Sequence, residues 1–198
     1  MRIRTTLVAG LTGLVAAAAI AGCGGGGGSA PAAPTTSGTP DVSPAGDIPD
    51  NQAFVAYAPA GGGFTVKVPE GWSRSAAGST TTFTDKLNTI RVRSVSAAAP
   101  LTVAEARRAE LPKLASSVRG FQPGRVSAVT RQAGTAIRMT YLAAAPRNAV
   151  TGKAGTDAVE RYVFFHKGRE IVLTLSGPKG ADNVDPWRIV TDSVRWTS

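Results

Sequence analysis

Between Cys23 and Asp50 the chain offers nothing to build a core from. Gly24 to Gly28 is an unbroken glycine run, and Ser, Ala, Pro and Thr dominate onward to Asp50. No apolar periodicity crosses this span, so no burial offsets the entropy of ordering it. A flexible linker is expected. No Lys or Arg flanks its prolines, so a Pro-rich docking site is not expected. A Gly-rich coil over 24–50 separates its ends by about 30 Å. Fully extended, it reaches at most roughly 95 Å. Folding is thereby confined to residues 51–198, and 148 residues suffice for one buried core.

The segment before the linker reads as a targeting signal. Arg2 and Arg4 form a positive start, and an uncharged apolar stretch runs from Leu7 to Ala21. Those 15 residues are short for a transmembrane helix, which needs about 20. The layout is that of a secretory signal peptide. Ile3 separates the two arginines, which argues against a twin-arginine signal.

Residue counts remove whole classes of chemistry. One Cys excludes an internal disulfide, a zinc knuckle or a CxxC redox pair. One His excludes a multi-histidine metal site. There is no G-x-S-x-G elbow. His166 precedes Lys167-Gly168 and is expected to be an exposed turn residue. Gly61-Gly62-Gly63 precedes a strand pattern, whereas a phosphate-cradling loop needs a helix after it. Glu105 and Glu110 do not share a helix face well, and Asp182 and Asp185 suit a turn and a cap. No catalytic residue, metal or cofactor is expected, and the chain is not expected to be an enzyme.

Residue period predicts the elements. Phe64 to Val68 alternates apolar and polar, as a half-buried strand does. Thr80 to Thr84 and Thr89 to Val95 read likewise. Thr102 with Glu105 forms a capping box for a helix reaching about Val118, with Pro112 kinking or dividing it. Gly124 to Arg131 and Gly134 to Ala143 form a hairpin. Ala158 to His166 and Glu170 to Ser176 form another. Its strands are apolar on both faces, which places them centrally in a sheet covered on two sides. A last helix is expected with Asp185 as N-cap and Pro186 at N1, carrying Trp187, Val190 and Val194. The expected class is α+β, an antiparallel sheet sandwiched between helices.

The folded segment carries 20 Lys and Arg against 10 Asp and Glu. Arg91, Arg93, Arg138 and Arg161 lie one step out of phase with apolar strand neighbours. On adjacent strands they are candidates for an anion-binding face, suited to a lipid head group or a wall polymer. Trp72 and Trp187, with Trp196, are candidates to line a ligand pocket.

Two resemblances add to this. Ile20-Ala-Gly-Cys23 resembles the lipobox of bacterial lipoproteins. It implies cleavage after residue 22, a diacylglyceryl group on Cys23 and, with it, fatty acids such as palmitate. Gly63-Phe-Thr-Val-Lys-Val-Pro-Glu-Gly-Trp72, the middle helix, Arg161-Tyr-Val-Phe-Phe and the segment from Asp185 to Trp196 together resemble the PsbP-like fold. That fold is shared by a photosystem II extrinsic protein, by nuclear transport cofactors of Ran and by actinobacterial lipoproteins of the LpqN type. The resemblance implies a non-enzymatic binding or scaffolding module and carries no functional residue with it.

The expected organisation is a signal peptide (1–22), a lipidated Cys and linker (23–50) and the α+β domain (51–198). The expected function is a lipoprotein on the outer face of the plasma membrane. Its domain would bind an envelope protein, a lipid, a wall polymer or another apolar or anionic ligand, and no nucleic acid. The alternative is a structural accessory subunit of an envelope complex.

Overall fold

A computed structural model describes residues 44–147, 152 and 154–197. The predicted signal, Cys23 and most of the predicted linker fall outside the described residues. In chain order the elements are β1 (Phe54–Tyr57), β2 (Phe64–Pro69), β3 (Ser73–Ala77), β4 (Thr80–Thr84) and β5 (Thr89–Ser96). A helix follows in three parts: α1 (Val103–Glu105), a π-helical turn (Ala106–Glu110) and α2 (Leu111–Ser117). Then come β6 (Gln122–Arg131), β7 (Gly134–Ala144), β8 (Thr156–His166), β9 (Arg169–Pro178), α3 (Val184–Asp192) and β10 (Arg195–Trp196).

The strands make a seven-stranded sheet, β3-β4-β5-β9-β8-β7-β6, and a three-stranded sheet, β1-β2-β10. The described pairings are antiparallel. The β8–β9 hairpin lies inside the larger sheet, as its two apolar faces predict. Tyr162, Phe164, Ile171, Leu173 and Leu175 point into one core with Phe64, Val66, Ile90, Val92, Trp187 and Val190. Val163 and Val172 point the other way, into a smaller core with Ala106, Val126, Ile137 and Met139.

The α+β class holds, but the sheet is not sandwiched between helices. One face is covered by helix alone, through Leu101, Val103, Leu111 and Leu114 around 103–117. The other is covered by the small sheet together with α3. At nine residues α3 is about 13 Å long, too short to roof seven strands. Phe64, Val66 and Val68 of β2 supply the rest of that cover.

The middle helix starts where its cap residues place it. The Thr102 Oγ1 accepts from the Glu105 N–H at 3.1 Å, and the Glu105 carboxylate accepts from the Thr102 N–H at 2.9 Å. The Thr102 hydroxyl also donates to the Glu105 carboxylate at 2.7 Å, and this bond first, then the one from the Thr102 N–H, holds the Glu105 carboxyl below its usual range. Pro112 divides the helix rather than simply kinking it. Proline has no N–H to donate and crowds the carbonyl four residues back. The turn ahead of it is widened, with the Leu111 N–H reaching the Ala106 carbonyl. Substituting Thr102 by Ala is expected to cost about 1 kcal/mol, and Thr102→Ser far less. Urea unfolding midpoints check this.

The last helix begins earlier than predicted. Its N-cap is Asn183, not Asp185, and Pro186 lies inside the first turn rather than at N1. The Asn183 side chain does not cap the helix. Its Oδ1 accepts from the Ile48 N–H at 2.8 Å, and its Nδ2 donates to the Gly46 carbonyl at 3.0 Å and Asn88 Oδ1 at 3.0 Å. Gly46 and Ile48 are therefore packed on the domain, ahead of the expected linker end at Asp50, and Ile48 is buried.

Candidate ligand-binding cleft

Strand alternation brings three of the four candidate arginines onto one sheet face. Ile90 and Val92 face the larger core, so Arg91 and Arg93 face the side that carries helix 103–117. Arg91 pairs across β5–β9 with Thr174, which pairs across β9–β8 with Arg161. Arg138 does not join them. It alternates with Ile137 and Met139 and so lies on the opposite face. There it is paired with Glu160, beside the Tyr162 ring. Burial, then the hydrogen bond to Glu160, pushes the Tyr162 hydroxyl up to about 12. Arg131 completes this chain of contacts, donating to Thr191 Oγ1 at 3.0 Å and lying 3.6 Å from the Asp192 carboxylate. The Arg138 cluster ties α3 to the sheet and is already neutralised.

Between helix 103–117 and the exposed part of the sheet lies a cleft of about 520 Å³. Val95, Leu101, Leu114, Val163 and Val172 form its apolar walls, and Arg93, Arg161, Lys113, Glu110, Glu170 and Ser117 its polar lining. The π-turn sets which residues of α2 reach it, because the extra residue it holds turns the helix behind it. Lys113 is bonded to Glu110 at 2.8 Å. Burial, then the neighbouring Glu110 charge, pushes the Glu170 carboxyl up.

Arg161 is the unusual group. It sits in the middle of the sheet, and its Nη1 donates to Thr174 Oγ1 at 3.1 Å. Its Nε is buried without a partner. Among the described residues no carboxylate lies within 4.0 Å of it. Burial lowers its pKa, yet a guanidinium stays charged in a protein. A partly desolvated charge without a counterion is costly, and an anion entering the cleft would supply one to the part of the guanidinium that lines it. The arrangement can bind an anionic group at Arg161 and Arg93 and an apolar moiety along the five aliphatic side chains.

The other candidates lie elsewhere. Trp187 is buried in the larger core and Trp72 packs partly buried against it; neither lines this cleft. His166 is exposed at the end of β8 and stacks on Trp196, with ring centres 5.1 Å apart. Gly61-Gly62-Gly63 leads into β2, and the carbonyls of Gly61 and Gly62 accept from Arg169. Among the described residues no cluster of His, Cys, Asp or Glu could hold a metal ion, and no helix is long and apolar enough to cross a membrane. Glu110, Lys113, Leu114 and Ser117 were not expected at a site. Nothing local marks them, because a π-turn decides their direction.

No protein-family model matches the sequence, and no curated protein matches it. Solved structures do. The Ran-binding protein Mog1p of Saccharomyces cerevisiae aligns over 73% of this chain and 96% of its own, at 12% identity and a TM-score of 0.50. Cyanobacterial PsbP (CyanoP) from Synechocystis aligns over 78% and 99%, at 17% identity and a TM-score of 0.50. The chain has a PsbP/Mog1-like fold. LpqN of Mycobacterium tuberculosis, involved in cell envelope biogenesis, aligns over 75% of this chain and 87% of its own, at 17% identity and a TM-score of 0.39. At that score it adds nothing to the fold assignment. The chain spans about half (48%) of a longer Bacteroides thetaiotaomicron protein that it also matches.

Proposed function

We propose that the chain is a cell-surface lipoprotein whose globular domain is a non-enzymatic binding module. Its ligand site is the cleft between helix 103–117 and the sheet. The observation that carries this is Arg161: a half-buried guanidinium with no carboxylate within 4.0 Å among the described residues, on the wall of a cleft with aliphatic sides. A core needs no such group, and an amphiphile with an anionic head would complete it. The fold supports a binding role, since the yeast protein that shares it is a Ran-binding protein. The sequence at Cys23 supports a lipid anchor on the outer face of the plasma membrane, with the linker holding the domain off the bilayer.

Native mass spectrometry of the full chain, with dodecyl phosphate and neutral dodecyl maltoside as probes, tests the cleft. Dodecyl phosphate is expected to bind, with dodecyl maltoside much weaker. Arg161→Gln is expected to weaken dodecyl phosphate at least about tenfold, the size of one hydrogen bond to a charged group. Equal binding of both probes, or no effect of Arg161→Gln, would remove the cleft as an anion site. The remaining reading is then an accessory subunit of an envelope complex with no small ligand, and crosslinking in whole cells would identify its neighbours.

A further inference from the structure

A second recess lies at the β8–β9 turn, where β10 runs alongside. It measures about 420 Å³ and is lined by Gly63, His166, Lys167, Arg169, Trp196 and Thr197. It shares no lining residue with the helix–sheet cleft.

Lys167 is the one described residue other than glycine with a positive φ, at 45°, and Gly168 follows at 77°. A two-residue hairpin turn with both central residues in this region favours Asn, Asp or Gly at the first of them. A lysine is a poor choice for folding there, because its Cβ meets the neighbouring carbonyl. An unfavourable backbone kept in place points toward a use for the side chain. What Lys167 adds is a positive charge beside Arg169 and the His166 ring.

The surroundings are held firmly. Arg169 Nη1 donates to the Gly62 carbonyl at 3.1 Å, the Gly61 carbonyl at 3.3 Å and Ser94 Oγ at 3.3 Å. Trp196 Nε1 donates to the Ala133 carbonyl at 3.2 Å, and its indole stacks with the His166 ring at an interplanar angle of 29°. Among the described residues no carboxylate lies within 4.0 Å of Lys167, Arg169 or His166. The recess therefore combines a fixed aromatic wall, the polar Thr197 and two cations that have no carboxylate within 4.0 Å among the described residues.

We infer that this recess binds an anionic saccharide. The sugar ring lies along the His166–Trp196 wall, and its phosphate or carboxylate is held by Lys167 and Arg169. A site for a bare anion would have no use for the aromatic wall. A site for an aliphatic chain would have no use for two cations at its rim.

Calorimetric titration of the full chain in detergent tests this with glucose 1-phosphate, glucuronic acid, glucose and inorganic phosphate. At least one anionic sugar is expected to bind, with glucose and inorganic phosphate at least about tenfold weaker. Which anionic sugar binds distinguishes a phosphate from a carboxylate ligand. Lys167→Asn separates ligand binding from folding. Asparagine suits the turn, so the melting temperature is expected to hold or rise while saccharide affinity falls at least about tenfold. Unchanged affinity in Lys167→Asn, no binding of either anionic sugar, or equal binding of inorganic phosphate would each overturn the proposal.

Discussion

Changing Cys23 to Ser is expected to abolish incorporation of labelled palmitate and to move the protein out of the membrane fraction. The effect is all or none, because the chemistry needs a thiol and this chain has one cysteine. Two acyl chains on one residue anchor a protein stably, whereas a single chain holds it only marginally. Among the described residues no helix is long and apolar enough to span a bilayer. The fatty-acid label is the cleaner of the two readouts. An uncut precursor keeps its apolar stretch from Leu7 to Ala21 and so some affinity for lipid. Label in the Cys23→Ser protein would sink the lipoprotein reading and leave the domain's binding sites untouched by that failure.

Within the domain, Gly177→Ala is expected to be the most damaging small change. Gly177 is buried on β9, opposite Ala158. A Cβ there would lie 2.3 Å from Asn88 Oδ1 and 2.9 Å from Asn183 Nδ2. Neither amide can retreat cheaply. Asn88 Nδ2 donates to the Gly46 carbonyl at 2.9 Å and to Asp85 Oδ2 at 3.2 Å. Asn183 bonds Asn88, Gly46 and Ile48. Both asparagines are almost fully buried, so a displaced amide leaves polar groups without partners. The cost is expected to be about 2–4 kcal/mol, with the melting temperature lowered by roughly 5–15 °C. Because the network also pins residues 46–48, amide exchange at Ile48 should accelerate more than exchange in β7. A melting shift below about 2 °C would mean that the amides repack without loss.

The network also shows why part of the fold was hidden. Asp185-Pro186 reads as a helix start, because that pattern is local. What placed the cap at Asn183 was a set of partners 95 to 137 residues away in sequence. The second covering layer was hidden for a related reason. Arg195–Trp196 is too short to show alternation, and β1 is four residues long with only Tyr57 buried, so neither has a period to read.

The candidate sites divide in the same way. Arg91, Arg93 and Arg161 could be chosen from alternation, since each lies one step out of phase with an apolar strand neighbour. Arg138 satisfied the same rule and belongs to the other face, paired with Glu160. Alternation places a residue on one of two faces within its own strand. Only the pairing register says which face of one strand continues which face of the next.

For the same reason Lys167 and Trp196, 29 positions apart, gave no sign of a shared recess. The sequence alone carries the expectation of three parts: a signal, a modifiable Cys23 with its tether, and a foldable segment. Composition and a single thiol are local properties, legible without coordinates. It also determined the central hairpin, because side chains apolar on both faces must be covered on both. Tertiary structure alone decided what does the covering, where the domain starts to pack and which charges are left unpaired. Those depend on long-range contacts, and a half-buried guanidinium without a nearby carboxylate becomes visible only when its neighbours are in place.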